Sequence, residues 1–432
     1  PPGNLVLKIN NSYRLGDTRR VFAQARQGLI PLLLHPRPRR MLFLGVGTGG
    51  SAGAAAAHGG VDIDALEILP DLQDVLHHFR KSNFGFLERV RQEEGVRFLV
   101  VDARHFVQAT ERRYDVVVGD LFVPWRAGEG AMYTHAHFRA VRDVLDEGGL
   151  FCQWLPLYQL GPRELRIITA TFCDVFPEAS AWWLYFNAEQ PALALVGSLR
   201  PQALDVSSLS QRLAVADRGE LFKAAGLLDP AELLGSRICG RPALVDWSEQ
   251  APLETRAHPR IEFIAPWQRF RPTTDRTQEQ LDSMFAITEP FDPALLSGAA
   301  PGMVQSVHGI QAALPHFLKG QRAQLADGDE ARAAAAYADA LAEGPEWALL
   351  QRMVLRRASD ALLQERFDLL ERCGAALART RAHAHRGYYY MARAQYARGE
   401  TETARRALQE ALRIRPGDAG SLRLLEQIEQ GG

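Results

Sequence analysis

Four short apolar runs between residues 41 and 120 set the pattern of this chain. Met41-Leu-Phe-Leu-Gly45 contains no charged or polar side chain, as a strand covered on both faces of a parallel sheet requires. Glycines follow at 45, 47, 49 and 50, and residues 51–58 are alanine-rich, so a tight turn into a helix is expected. The second run, 61–66, ends at Glu67; the third, 96–101, ends at Asp102; the fourth, 114–119, ends at Asp120. Strands alternating with helical stretches predict a mainly parallel sheet flanked by helices. The three acids then lie along one sheet edge, where open α/β folds bind ligands.

The flanking segments extend this picture. Leu5, Leu7 and Ile9 alternate with Val6 and Lys8, which predicts a strand with Asn10-Asn11 as its turn. Residues 17–34 are helical in pattern and run into Pro36 and Pro38. Beyond Glu67, residues 69–79 read as an amphipathic helix and 80–94 as a polar connection. Residues 138–145 read as a helix stopped by Gly148-Gly149, and 150–154 as the next strand. Residues 164–176 read as a further helix, with 181–185 and 192–196 as closing strands. Residues 200–300 carry a weaker pattern, helical over 204–228 and irregular over 242–266.

From about Gln305 the composition shifts to Ala, Leu, Arg and Glu with helical period. Two windows match at an offset of 71 residues: Ala326-Asp-Gly328 with Ala397-Arg-Gly399, Ala333 with Ala404, Ala340 with Ala411, Pro345 with Pro416. Small residues where helices cross, a turn glycine and a closing proline are the tetratricopeptide (TPR) pattern, with a degenerate middle repeat over about 350–383. The expected domains are a hairpin and helix cap (1–40), an α/β catalytic domain (41–200), an extension (201–304) and TPR-like repeats (305–432).

Composition narrows the function. The 432 residues suffice for two or three full cores. A formal net charge of −1 argues against a nucleic-acid or membrane-surface partner. Cys152, Cys173, Cys239 and Cys373 form no closely spaced pair and read as core residues of a reducing compartment, so a cytoplasmic location is expected. His77 and His78 diverge on a helix, His135 and His137 read as exposed polar positions, and no metal site is expected. No apolar run reaches membrane-spanning length. The chain opens Pro1-Pro2-Gly3 without a Met, as a piece of a longer protein would.

The chemistry concentrates on the sheet edge. Gly45, Gly47 and Gly49 let backbone approach a ligand. Glu67 lies about 20 residues further on, where a carboxylate can accept both hydroxyls of a ribose; this spacing fits NAD and S-adenosylmethionine alike. Asp102, followed by Ala103, can accept from an adenine amino group, and Asp120 would face a reacting centre. That pair suits an S-adenosyl nucleoside better than NAD. The plainer reading of these acids is as caps of the following helices. The loop 121–133 holds Trp125, Arg126, Glu129 and Tyr133 and can close over a ligand. Trp125, Trp154 and Tyr158 can form an aromatic box around a sulfonium, or simply pack the core.

Together, Asn10-Asn-Ser-Tyr-Arg-Leu-Gly16, Pro31-Leu-Leu-Leu-His-Pro36, Gly45-Val-Gly-Thr-Gly-Gly50, Leu66-Glu67, Asp102-Ala103, Tyr114-Asp-Val-Val-Val-Gly-Asp120, Pro124-Trp125 and Gln153-Trp-Leu-Pro-Leu-Tyr158 resemble the spermidine synthase (polyamine aminopropyltransferase) family, and within it a bacterial branch joined to a membrane segment. The resemblance implies a class I S-adenosylmethionine-methyltransferase-like (Rossmann-like) domain with an N-terminal β cap, followed here by the all-α repeats. It implies an enzyme that uses decarboxylated S-adenosylmethionine as substrate, attacks its three-carbon arm with an amine and releases methylthioadenosine. By resemblance, Gly45, Gly47 and Gly49 approach the nucleoside, Glu67 takes the ribose, Asp102 and Ala103 meet the adenine, and Asp120 is the acid–base. Tyr13, Arg14, Trp125, Tyr133, Gln153, Trp154 and Tyr158 fall on the substrate side.

The departures from the family matter. A second acid usual three residues after the catalytic one is Val123 here, and a usual Gln is Arg14. An unpaired buried ammonium is costly, so this pocket is less suited to a diamine. Arg14 can instead pair with the carboxylate of intact S-adenosylmethionine, whose own carboxylate or amine would displace the sulfur and give a lactone or an azetidine acid. Aminopropyl transfer stands first, this intramolecular lyase or cyclase second, and a non-catalytic nucleoside sensor third. The partners expected are the small-molecule substrate, a protein bound by the repeats, and further copies of the chain. A membrane would be reached only through a segment outside this sequence, which would put the domain at its cytoplasmic face.

Overall fold

Arg40–Leu44, the first of the four apolar runs, pairs in parallel with two of the others, and its residues from Met41 to Leu44 are at most 2% exposed. The computed structural model describes residues 3–9, 13–126, 128–185, 187–215, 218–298 and 302–430. It divides into two compact units. One holds residues 1–185 and 189–301; the other holds 186–188 and 302–432.

The first unit opens with an antiparallel hairpin, β1 (Val6–Ile9) and β2 (Tyr13–Asp17), whose expected Asn10-Asn11 turn lies outside the described residues. Helix α1 (Val21–Leu34) follows, shorter than its pattern because β2 takes the residues up to Asp17. Then come β3 (Arg40–Leu44), α2 (Gly50–His58), β4 (Asp62–Glu67) and α3 (Leu72–Val75), which tightens into a 3₁₀ turn over Leu76–Phe79. Next are α4 (Phe86–Gln92), β5 (Val96–Val100), α5 (Ala103–Ala109), β6 (Tyr114–Gly119), α6 (His135–Asp143), β7 (Leu145–Pro156), α7 (Pro162–Val175), β8 (Glu178–Tyr185) and β9 (Ala192–Ser198). A two-residue pair joins β10 (Leu204–Asp205) to β12 (Leu296–Ser297), and β11 (Arg237–Gly240) lies between them in sequence.

The main sheet runs β11-β8-β9-β7-β6-β3-β4-β5. Strands β5, β4, β3, β6 and β7 are parallel; β9 runs antiparallel between β7 and β8. This order, with β9 reversed between β7 and β8 and β11 added antiparallel at the edge, is a class I methyltransferase-like arrangement. Helices α1, α2 and α4 pack together on the sheet, as do α5, α6 and α7, giving an α/β/α sandwich. The point where strand order reverses lies between β3 and β6, so the loops after these strands open onto one crevice.

Several elements differ from the sequence pattern. The connection 80–94 contains α4, seeded by Phe86 and Leu87, which bury under the sheet edge. The 242–266 stretch contains helices Arg241–Ser248 and Arg260–Ile264. Strand β7 starts at Leu145, because Gly148-Gly149 form an irregularity within the strand instead of a stop before it. His137 is buried, since it falls on the inner face of α6 beside Phe138 and Val141. All four cysteines are free and buried.

The second unit is all-α. Helices Met303–Leu325, Glu330–Glu343, Ala348–Leu363, Phe367–Ala378, Ala384–Ala397, Thr401–Ile414 and Ala419–Gln430 form successive antiparallel pairs and a final helix. The residues matched at the 71-residue offset occupy like positions: Ala333, Ala404, Ala340 and Ala411 are all fully buried. Gly328 and Gly399 turn the chain in the left-handed region, at φ 64° and 81°. The middle pair makes the same turn with Glu365, at φ 55°. No helix among the described residues is long and apolar enough to cross a membrane.

Candidate active site

The carboxyl ends of β3, β4, β5 and β6 enclose a cavity of about 360 Å³. Gly45, Gly47, Glu67, Asp102, Ala103 and Asp120 line it together, joined by Ile9 and Leu15 of the hairpin and by Phe122, Arg126, Glu129 and Met132 of the following loop. Residues from five separate stretches therefore reach one space.

Gly45 turns the chain out of β3 at φ 99°, where a Cβ would stand 3.2 Å from the Asp120 Cβ. Only glycine allows the loop to pass this close to the acid. Glu67 ties the turn to β4. Its Oε2 accepts from the backbone N–H of Val46 (3.2 Å) and Gly47 (3.4 Å), and its Oε1 from Ile68 (2.9 Å) and Leu69 (3.0 Å). Asp102 caps α5 by accepting the Arg104 N–H at 2.8 Å, and its carboxylate grips the Arg104 guanidinium at 2.6 and 3.1 Å. That charge-assisted pair holds Asp102 below the ordinary carboxylate range. Asp102 is thus both a helix cap and a cavity wall.

Asp120 stands at the end of β6. Its Oδ1 accepts from the Leu121 N–H at 2.7 Å and from Gln27 Nε2. Among the described residues Oδ2 accepts no hydrogen bond, and it lies 3.9 Å from where a Gly47 side chain would begin. Burial raises the carboxyl above its usual range, the Leu121 and Gln27 bonds pull it down, and the Glu67 charge pushes it up again. The Asp120 backbone carbonyl is held by Gln153 Nε2 at 3.0 Å.

The other expected side chains are distributed differently. Gly49 caps the start of α2 and does not line the cavity. Trp154 is fully buried and donates Nε1–H to the Gln27 carbonyl at 3.0 Å, so it packs β7 under α1 and no box with Trp125 and Tyr158 surrounds the cavity. Trp125 and Tyr158 are only partly exposed and do not line it either. Tyr133 is buried and donates to the Phe122 carbonyl at 2.7 Å, which pins the loop. Gln153 acts through the Asp120 backbone. Arg14 does not line the cavity; it pairs with the buried Asp17, which also holds Arg20 at 3.2 Å. The Tyr13 side chain lies outside the described residues.

Two residues, Gln27 and Glu262, escape the sequence reading of the site, and Glu129 enters it only as a member of the 121–133 loop. Gln27, 93 positions from Asp120, is its side-chain donor. Glu129 fills the region left by Val123: it accepts the Val123 N–H at 2.6 Å and the Arg126 guanidinium at 2.9 Å, while Val123 itself is fully buried. Glu262, from the 242–266 stretch, accepts the Gly128 N–H at 2.8 Å and anchors the loop from outside.

Comparison with known proteins fits this construction. The family model described as spermine/spermidine synthase domain matches residues 28–186. A polyamine aminopropyltransferase from Hyperthermus butylicus is 26% identical over 196 residues, 44% of this chain and 63% of its own length. One from Pseudomonas aeruginosa is 28% identical over 165 residues, 38% of this chain and 54% of its own. One from Hamiltonella defensa is 30% identical over 148 residues, covering 34% and 49%. The chain thus spans between about half and two thirds of the length of these relatives. The matched region, residues 28–186, holds the glycine turn, all three strand-end acids and Gln153, and it is in this region that the chain is similar to a spermine/spermidine synthase domain.

Proposed function

We propose that the α/β unit transfers the three-carbon arm of decarboxylated S-adenosylmethionine to an amine and releases methylthioadenosine. The observation that carries this reading is Asp120: a carboxylate with one oxygen saturated by Gln27 and Leu121, the other open, and a proton affinity raised by burial. Such a group is a base poised nearer neutral pH than a solvated aspartate. The amine lone pair forms the new N–C bond as the C–S bond breaks. Its electron pair returns to sulfur, turning the sulfonium into a neutral thioether, and the ammonium proton passes to Asp120. Glu67 and Asp102 are the acceptors for ribose and adenine.

At the acceptor end the second acid is Glu129, shared with Arg126, instead of a carboxylate at 123. This favours an amine carrying less positive charge than a free diamine. The intramolecular reaction on intact S-adenosylmethionine loses its supporting residue, since Arg14 is bound to Asp17 away from the cavity. The all-α unit is read as tetratricopeptide-like repeats that bind a protein partner.

The test is to quantify methylthioadenosine from the decarboxylated donor with putrescine and with a series of monoamines, and from the intact donor alone. Release that requires both decarboxylated donor and amine supports the proposal. Release from intact donor without acceptor overturns it in favour of the lyase, and no release with any pair overturns it in favour of a nucleoside sensor.

A further inference from the structure

Residues 256–271, Arg-Ala-His-Pro-Arg-Ile-Glu-Phe-Ile-Ala-Pro-Trp-Gln-Arg-Phe-Arg, carry four arginines and one glutamate in a chain whose net charge is −1. The whole-chain balance therefore conceals a basic, aromatic segment. It folds as helix Arg260–Ile264 and 3₁₀ helix Ala265–Phe270. Ile261 and Ala265 point inward and are fully buried. Phe263, Trp267 and Phe270 point outward and are 70%, 71% and 83% exposed, with the Trp267 and Phe270 rings 6.3 Å apart. One exposed aromatic needs no explanation, but three within eight residues form a patch that does.

The base under the rings is fixed. Buried Glu254 accepts the N–H groups of Arg260 (2.9 Å) and Ile261 (3.2 Å). Gln268 Nε2 donates to Glu164 at 2.9 Å, and Glu262 is turned to the Gly128 N–H. The segment's one acid is thereby drawn away from the patch. Arg256 is exposed, and Arg260 Nη1 donates to the Leu253 and His258 carbonyls while its charge also acts on buried Glu254. Arg271 is paired with Glu279 at 2.9 Å.

We propose that this ridge docks the chain on a bilayer surface bearing anionic lipid head groups. Trp and Phe enter the head-group boundary readily, and arginines beside them meet phosphate. A second copy of the chain is a poorer occupant, because twofold pairing of the ridge would set its arginines against their counterparts. The inference does not depend on the reaction proposed for the cavity.

The test is co-sedimentation of the full chain with vesicles of phosphatidylcholine alone and of phosphatidylcholine with phosphatidylglycerol. Binding to the anionic vesicles that falls with added salt is expected, with little binding to the neutral ones. Trp267→Ser with Phe270→Ser should lower the partition at least about tenfold, since burying one aromatic side chain contributes roughly that factor or more. Both positions are exposed, so the melting temperature should not move; Arg256→Glu, also exposed, gives an independent loss. No binding to anionic vesicles, equal binding to neutral ones, or undiminished binding by the double variant overturns the proposal. So does a dimer that the double variant dissociates while neither protein binds vesicles.

Discussion

Gln27→Met isolates the electrostatic control of Asp120. The substitution keeps chain length and volume but removes the Nε2 donor that Asp120 Oδ1 accepts. The backbone carbonyl of residue 27, which receives the Trp154 indole N–H, is untouched. A hydrogen bond to a charged group contributes about 1.5–3 kcal/mol. Loss of this bond to the ionised form should raise the Asp120 pKa by the equivalent of that free energy. The sign follows from the two forms: Gln27 favours the carboxylate, so without it the proton is held more tightly. A base must be ionised to act, so the acid limb of kcat/KM should move to higher pH by that amount. Well below the limb, the rate should drop about 10–100-fold. The assay is methylthioadenosine release across pH, with circular dichroism to show an intact fold. An acid limb that stays in place in a folded Gln27→Met protein would refute the assignment of Asp120 as a base governed by Gln27.

Three further outcomes are expected. Glu365→Gly should stabilise the all-α unit by about 1 kcal/mol in chemical denaturation, because a side chain in the left-handed region costs roughly 1–2 kcal/mol and Gly328 and Gly399 make the equivalent turns. His137 is buried, and among the described residues neither of its ring nitrogens has a hydrogen-bond partner; burial pushes its pKa down to about 3. His137→Phe should therefore raise the melting temperature, because it removes unsatisfied polar atoms, each costing about 1–3 kcal/mol; a clear loss of stability would contradict this. Burial raises Glu254 to about 7, above its unfolded value, so its folded form holds a proton that the unfolded form has released. Its contribution to stability should fall as pH rises from about 4.5 to 7, by an amount on the order of 3 kcal/mol, and Glu254→Gln should flatten that slope in melting curves taken across this window.

The α/β core was legible because β3, β4, β5 and β6 are short runs rich in apolar residues, each ending in, or followed within two residues by, glycine or an acid. Gly45, Glu67, Asp102 and Asp120 follow from that local pattern alone. The side chains around them do not. Gln27 sits in a helix that also carries Gln24 and Arg26, far from Asp120 in sequence, and its local signal is an amide on a buried helix face. Trp154 reads equally as site or core, and only the packing of β7 under α1 decides. The Arg14 partner escapes the pattern because Asp17 reads as the start of the following helix, whereas both residues lie on β2. The 242–266 stretch looks irregular since its helices are short, and Arg260–Ile264 is held by buried Glu254 instead of a periodic apolar face. In the all-α unit, Glu365 adopts the left-handed turn geometry of Gly328 and Gly399 without being glycine, which no residue pattern can reveal.

The most direct test of the central claim is methylthioadenosine release from decarboxylated S-adenosylmethionine and an amine by wild type and by Asp120→Asn, with donor binding followed by calorimetry. The account predicts that wild type releases the thioether only when both substrates are present. It predicts that Asp120→Asn still binds the donor, because Glu67, Asp102 and the glycine turn remain, and that its turnover drops by about 100-fold or more. Equal turnover by the two proteins, or none by wild type with any amine, would contradict it.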